Sequence, residues 1–190
     1  MRSEKLILLL FISSLFCSQL SGQSKSKNSS FKLEIGGGIS LLGTGDISMS
    51  GIVVELDYLL NKRLELSSNL TLARGQTNRV TFSSGMTQSN FNLQAILMNV
   101  GNKYELKIGG GLSYISYDSV RARSGSTDSS GVFVVSEYAI REENSFGYNL
   151  LIENIYKFSK AYSIGIVIFG QNYFSGDTNF GGNLKLGVTL

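Results

Sequence analysis

Stretch after stretch of this sequence alternates apolar and polar residues. A period of two leaves the β-strand as the regular structure that gathers the apolar set on one face. The pattern is plainest in a segment that the chain uses twice. Phe31-Lys32-Leu33-Glu34-Ile35-Gly36-Gly37-Gly38-Ile39-Ser40-Leu41 recurs as Tyr104-Glu105-Leu106-Lys107-Ile108-Gly109-Gly110-Gly111-Leu112-Ser113-Tyr114. The polar face carries Lys32 and Glu34 in the first copy and Glu105 and Lys107 in the second, with the signs exchanged. If these are the first and fifth of eight strands in a closed barrel, Lys32 and Glu34 are expected to face Glu105 and Lys107 across the interior. Common ancestry and chance likeness of two Gly-rich strands both account for the repeat.

Eight strands are predicted. They span 31–42, 50–60, 63–73 and 89–99, a fifth that begins at Lys103, a sixth that ends near Tyr156, then 160–170 and 182–190. Most have the length that a tilted membrane-crossing strand requires. The connections alternate. Asn61-Lys62, Gly101-Asn102 and Lys157-Phe158-Ser159 read as tight turns, whereas 43–49, 74–88, 118–144 and 171–181 are longer and rich in Ser, Gly, Asn, Asp and Thr. Short turns at one end and long loops at the other are the pattern of an outer-membrane barrel, with both chain ends on the short-turn, periplasmic side. The chain has 22 Gly and no Pro, which suits a nearly continuous hydrogen-bonded ladder in which Pro would remove a donor.

Alternation alone does not say which face is inside, and a soluble lipocalin-like carrier would turn the apolar face inward. Three features favour the opposite arrangement. The apolar face carries roughly 35 large side chains, too many for an eight-stranded interior. The polar face is small and amide-rich, with Gly36, Gly38, Ser40, Asn69, Asn90, Asn92, Gln94, Ser113 and Asn149. It reads as a packed lumen rather than a solvated surface. Aromatic residues collect near strand ends, as in interfacial girdles: Phe31, Tyr58, Tyr104 and Tyr162 at the turn end, Phe91, Tyr114, Phe146 and Tyr148 toward the loop end. The expected fold is therefore an all-β, eight-stranded antiparallel up-and-down transmembrane barrel over 31–190.

A cleavable signal segment is expected at 1–22, followed by a flexible lead-in at 23–30. Arg2 and Lys5 precede the apolar run Leu6–Phe16, which is too short for a typical spanning helix, and cleavage is expected near Gly22–Gln23. Cys17 offers a lipidation site, but Phe16 stands before it where a small residue is expected. Cleavage after Gly22 would remove the single Cys, and the whole sequence has no His. The mature chain would then hold no disulfide and no thiolate or imidazole metal site.

On these residues the chain resembles the small eight-stranded outer-membrane β-barrel proteins of the OmpA and OmpX type. The resemblance covers about 31–190 and includes the last strand, Asn183-Leu184-Lys185-Leu186-Gly187-Val188-Thr189-Leu190. It implies outer-membrane lipids as surroundings and recognition of the final strand by the barrel-insertion machinery. Leu190 stands where that family places an aromatic residue. The architecture is specified in this way far better than the role.

Without His, Ser-His and Asp-His catalysis are excluded, and no enzymatic activity, catalytic residue, metal or cofactor is expected. A Ser-Lys pair using Lys107 or Lys185 is the chemical alternative to a structural ion pair. The net charge of +3 gives no reason to expect nucleic acid. The luminal charges on the predicted register are Lys32, Glu34, Glu55, Asp57, Glu65, Lys103, Glu105, Lys107, Glu153 and Lys185, nearly all in the periplasmic half. Buried together they must be paired or hydrated, which predicts a charge-paired plug, with a gated pore as the alternative. The loop-side half, lined by Gly, Ser and Asn, is expected to hold water or a shallow pocket open outward. The candidate function is a structural or surface-binding protein of the outer membrane. A narrow channel for small solutes and a secreted carrier are the competing readings. The long segment 118–144 keeps strand parity and is read as a hairpin beyond the membrane, with Tyr104 paired to Ile152 and Arg123 near Phe133. Arg121, Arg123, Val132, Val134 and Tyr138 are its candidate contact residues for an extracellular protein partner.

Overall fold

The computed structural model describes residues 31–43, 47–77, 82–127, 129–131 and 133–190. The expected signal segment 1–22, the lead-in 23–30 and Val132 lie outside them. Eight strands follow in chain order: β1 (Phe31–Leu42), β2 (Ile47–Asn61), β3 (Leu64–Thr77), β4 (Phe82–Val100), β5 (Tyr104–Thr127), β6 (Phe133–Lys157), β7 (Tyr162–Tyr173) and β8 (Thr178–Thr189). Each pairs antiparallel with the next, and β8 closes on β1. Closure leaves no open edge within the barrel wall, which a lipid-exposed sheet requires.

The alternation resolves with the apolar set outward. Ile39, Leu112 and Leu150 are about 70% exposed, at 70%, 69% and 67%, while Glu34, Lys107, Glu153 and Lys185 are at most 1% exposed. An exterior this apolar belongs in lipid, and the soluble carrier reading is overturned. The aromatic residues pair at the rims. Phe31 packs against Tyr58 and Tyr104 against Tyr156 with tilted rings, both at 4.9 Å, below; Tyr114 lies 5.0 Å from Phe146 above. From Tyr104 to Tyr114 the strand climbs about ten residues. At about 3.4 Å per residue and a tilt near 40°, that rise is about 25 Å, the height of an outer-membrane apolar band.

Two details fix the inward face. Gly38 and Gly111 occupy equivalent places in the repeated segment. A Cβ at Gly38 would collide with the Gly182 carbonyl, and one at Gly111 with the Phe91 carbonyl. The barrel wall bends too closely there for any side chain. In β4 the register shifts between Ile96 and Met98. This bulge lets Gln94 stay in the lumen while Asn99, of opposite parity, stands opposite Glu105 and bonds to it at the rim.

The strands are longer than the sequence predicts, chiefly at the loop end. β4 starts seven residues before the expected position 89, and segment 118–144 is strand over most of its length. Lys103 is a correction. Gly101 and Asn102 adopt φ of 60° and 55° in the turn, β5 begins at Tyr104, and Lys103 is exposed in that turn, outside the lumen.

Candidate functional site

The inward side chains form three layers. The lowest is ionic. Lys185 Nζ lies 2.5 Å from Glu34 Oε2, 2.7 Å from Glu153 Oε1 and 3.1 Å from Glu55 Oε1. Lys107 contacts Glu65 closely and reaches Glu153 Oε2 at 3.6 Å, while Lys32 meets Glu34 Oε1 at 2.5 Å. Asp57 is buried among them, and neither of its oxygens accepts a hydrogen bond. Glu105 stands apart at the periplasmic rim, 2.5 Å from Lys157 and hydrogen-bonded by Asn99 at 2.9 Å. The expected meeting of Lys32 and Glu34 with Glu105 and Lys107 is therefore corrected. Lys32 and Glu34 pair within their own strand, and Glu34 finds its second partner not across the barrel but in Lys185 of the adjoining β8. Lys107 and Lys185 are both engaged by carboxylates, so neither ammonium is placed to activate a serine hydroxyl.

Above the ions lies a belt of amides and hydroxyls. Asn69 donates to Glu55 at 3.3 Å, Asn90 to Asn69 at 2.7 Å, Ser113 to Asn90 at 2.6 Å, and Asn149 to Ser113 at 2.9 Å. Gln171 donates to Asn90 at 3.1 Å, and Asn179 donates to Gln171 at 2.9 Å and to Gln88 at 3.0 Å. A cavity of about 20 Å³ lies in this belt, bordered by Glu55, Gln88, Asn90, Asn149 and Gln171. It has room for about one water molecule.

The third layer departs from the sequence expectation. Leu42, Ile47, Met49, Ala73, Met86, Ile115, Tyr117 and Tyr173 form one buried apolar cluster at the loop end. It stands where the sequence reading expects Gly, Ser and Asn around an outward-opening pocket. The signal was there in parity: Ile115 and Tyr117 continue the inward row of Ser113, and Met86 continues that of Gln88. The Tyr117 hydroxyl donates to Glu143 and Asp177, both at 3.1 Å, and so ties the cluster to the surface.

Beyond the cluster, β5 and β6 rise as a two-stranded ribbon. β5 pairs with β4 only as far as Ser119, opposite Ser84, and β6 pairs with β7 only as far as Gly147, opposite Tyr173. The two continue with each other to Thr127 opposite Phe133, through irregularities around Ser124. Among the described residues, 133–145 of β6 thus have a strand partner on one side only. The expected register is corrected by four residues: Tyr104 pairs with Tyr156, and Ile152 with Ile108. Arg123 accordingly meets Glu137, at 3.2 Å, rather than Phe133. Val134 and Tyr138 are exposed, and Arg121 lies in β5.

No protein-family model and no curated protein matches this sequence. Several solved structures do. The attachment invasion locus protein Ail of Yersinia pestis is similar at a TM-score of 0.59 and 8% identity, over 86% of this chain and 99% of that one. Neisserial surface protein A is similar at 0.59 and 12%, over 85% and 98%. The N-terminal β-barrel domain of OprF from Pseudomonas aeruginosa is similar at 0.54 and 13%, over 86% and 100%. Ail has also been solved with the heparin analogue sucrose octasulfate, and that structure is similar at 0.58 and 9%, over 86% and 99%. At these identities the likeness is one of fold. A closed barrel with a lipid-facing band, in the fold of small eight-stranded outer-membrane barrels, is that of an integral outer-membrane protein.

Proposed function

We propose that the protein is a non-enzymatic surface protein of the outer membrane, with an occluded lumen and with the β5–β6 ribbon as its contact surface for an extracellular protein. The side of β6 that has no strand partner among the described residues over 133–145 carries the reading. It presents a row of backbone donors and acceptors beyond the membrane, to which an extended segment of another protein can add as a strand. Charge supports a protein over a sulfated sugar such as the Ail ligand. The ribbon mixes Arg121, Arg123 and Arg141 with Glu137, Glu142 and Glu143, and Arg123 is held by Glu137. Deleting 121–135 and closing the strands with a short Gly turn is expected to leave heat-modifiable folding intact, because the wall below keeps its pairing, and to abolish binding of whole cells to their target surface. Loss of heat-modifiable migration would instead make the ribbon part of the barrel's own stability.

The three buried layers support the occluded lumen: the cavities beside them are small, about 20 Å³ in the amide belt and about 10 Å³ next to Met49 and Met86. Purified protein in planar bilayers is expected to show no steady single-channel steps. A reproducible open conductance would favour the narrow channel instead.

A further inference from the structure

We propose that Glu34, Glu55 and Asp57 hold one hard divalent cation, calcium by its ligand chemistry, inside the lower barrel. Glu34 and Glu55 are direct partners in the β1–β2 register, and Asp57 follows two residues along β2 on the same inward face. Each offers a carboxylate oxygen that lies within 4.8 Å of the other two. An ion with oxygen ligands at about 2.3–2.6 Å holds them at most about 5 Å apart.

Asp57 is the separate observation that points to a ligand. It is 1% exposed, and neither oxygen accepts a hydrogen bond. Lys32 stands opposite it in the register, yet turns to Glu34. The other charges of the layer do not compensate. Glu34, Glu55, Asp57, Glu65 and Glu153 are five buried carboxylates, and Lys32, Lys107 and Lys185 are three buried ammoniums. With every carboxylate ionised, the deficit of two positive charges is that of one divalent ion, and uncompensated charge in such a place is costly. The donor set is oxygen alone, which suits calcium, magnesium or manganese and not the metals that prefer imidazole or thiolate. Magnesium demands a near-ideal octahedron, to which three carboxylates held on two neighbouring strands cannot adjust. Calcium tolerates an irregular shell.

The test is to refold the full barrel in neutral zwitterionic detergent with calcium, remove free ion by gel filtration, and measure bound metal by atomic emission. The wild type is expected to retain about one calcium per chain, and Asp57→Asn none. A wild type without calcium overturns the proposal, and so does Asp57→Asn retaining as much as the wild type, which places the ion elsewhere. If the variant does not fold, the wild type alone decides. Refolding in chelator is expected to lower its thermal midpoint, and calcium but not equimolar magnesium to restore it. A midpoint indifferent to calcium overturns the proposal.

Discussion

Replacing Lys185 with methionine is expected to destabilise the barrel by about 3–5 kcal/mol, the cost of leaving buried charges without their partner. This ammonium is the shared neighbour of Glu34, Glu55 and Glu153, and its side chain is 1% exposed. The substitution strands three carboxylates in a layer that already has more acids than lysines. Lys157→Met removes a comparable contact, to Glu105, but its side chain is 32% exposed at the rim. A cost of about 0–1 kcal/mol is expected there. Urea unfolding in lipid vesicles, followed by heat-modifiable migration, gives both values. The pair Glu34→Gln with Lys185→Met should show a coupling within about 0.5–3 kcal/mol. Glu34→Gln with Lys107→Met should couple more weakly, because those two side chains do not touch. Equal losses at Lys185 and Lys157 would mean that water reaches the ionic layer.

A second large effect is expected on the outside. Ile108→Arg and Ile166→Arg place a guanidinium near the middle of the apolar band and should each cost about 2–4 kcal/mol in a bilayer. Ile140→Arg is the informative contrast. Ile140 lies on the same outward face, in the ribbon, and is 71% exposed against 44% for Ile108. If the ribbon stands in water, that change should stay within about 0.5 kcal/mol. A loss at position 140 as large as at 108 would put the ribbon in lipid and remove the support for a contact surface.

What the sequence reveals here follows from what a period of two encodes. Parity sorts each strand into two faces, and the number of large apolar side chains on one and of amides on the other decides which is outward, so the lipid-facing set and most of the inward ions are legible without coordinates. The bounds of β1 are legible too, because Gly43 breaks the pattern immediately after Leu42. Register is less legible. Pairing Tyr104 with Ile152 and pairing it with Tyr156 both keep lipid-facing residues together, and only turn geometry at the distant ends separates them. Charge partners inherit that uncertainty, so Lys107 is read as the partner of Glu34 when Lys185 holds it. The apolar cluster fails for another reason. Leu42, Met49, Met86, Ile115 and Tyr173 come from five strands, and no single strand shows that its one or two inward apolar residues will meet the others. The orphaned Asp57 is likewise invisible in sequence, since Lys32 is its register partner and looks like its counter-ion.

The seam between β1 and β8 sets the order in which this barrel can come into being. Its ladder joins Lys32 to Thr189, nearly the whole described chain apart. No shorter segment can form it, and contacts this distant in sequence are the slow ones to make. Lys185 enters the ionic layer on that last strand. Until the seam zips, Glu34, Glu55 and Glu153 lack their shared ammonium and must stay hydrated. Water therefore leaves the lower lumen in the same step that closes the wall. A half-closed barrel would carry two raw sheet edges and wet carboxylates into lipid, which makes insertion, drying and closure one concerted event.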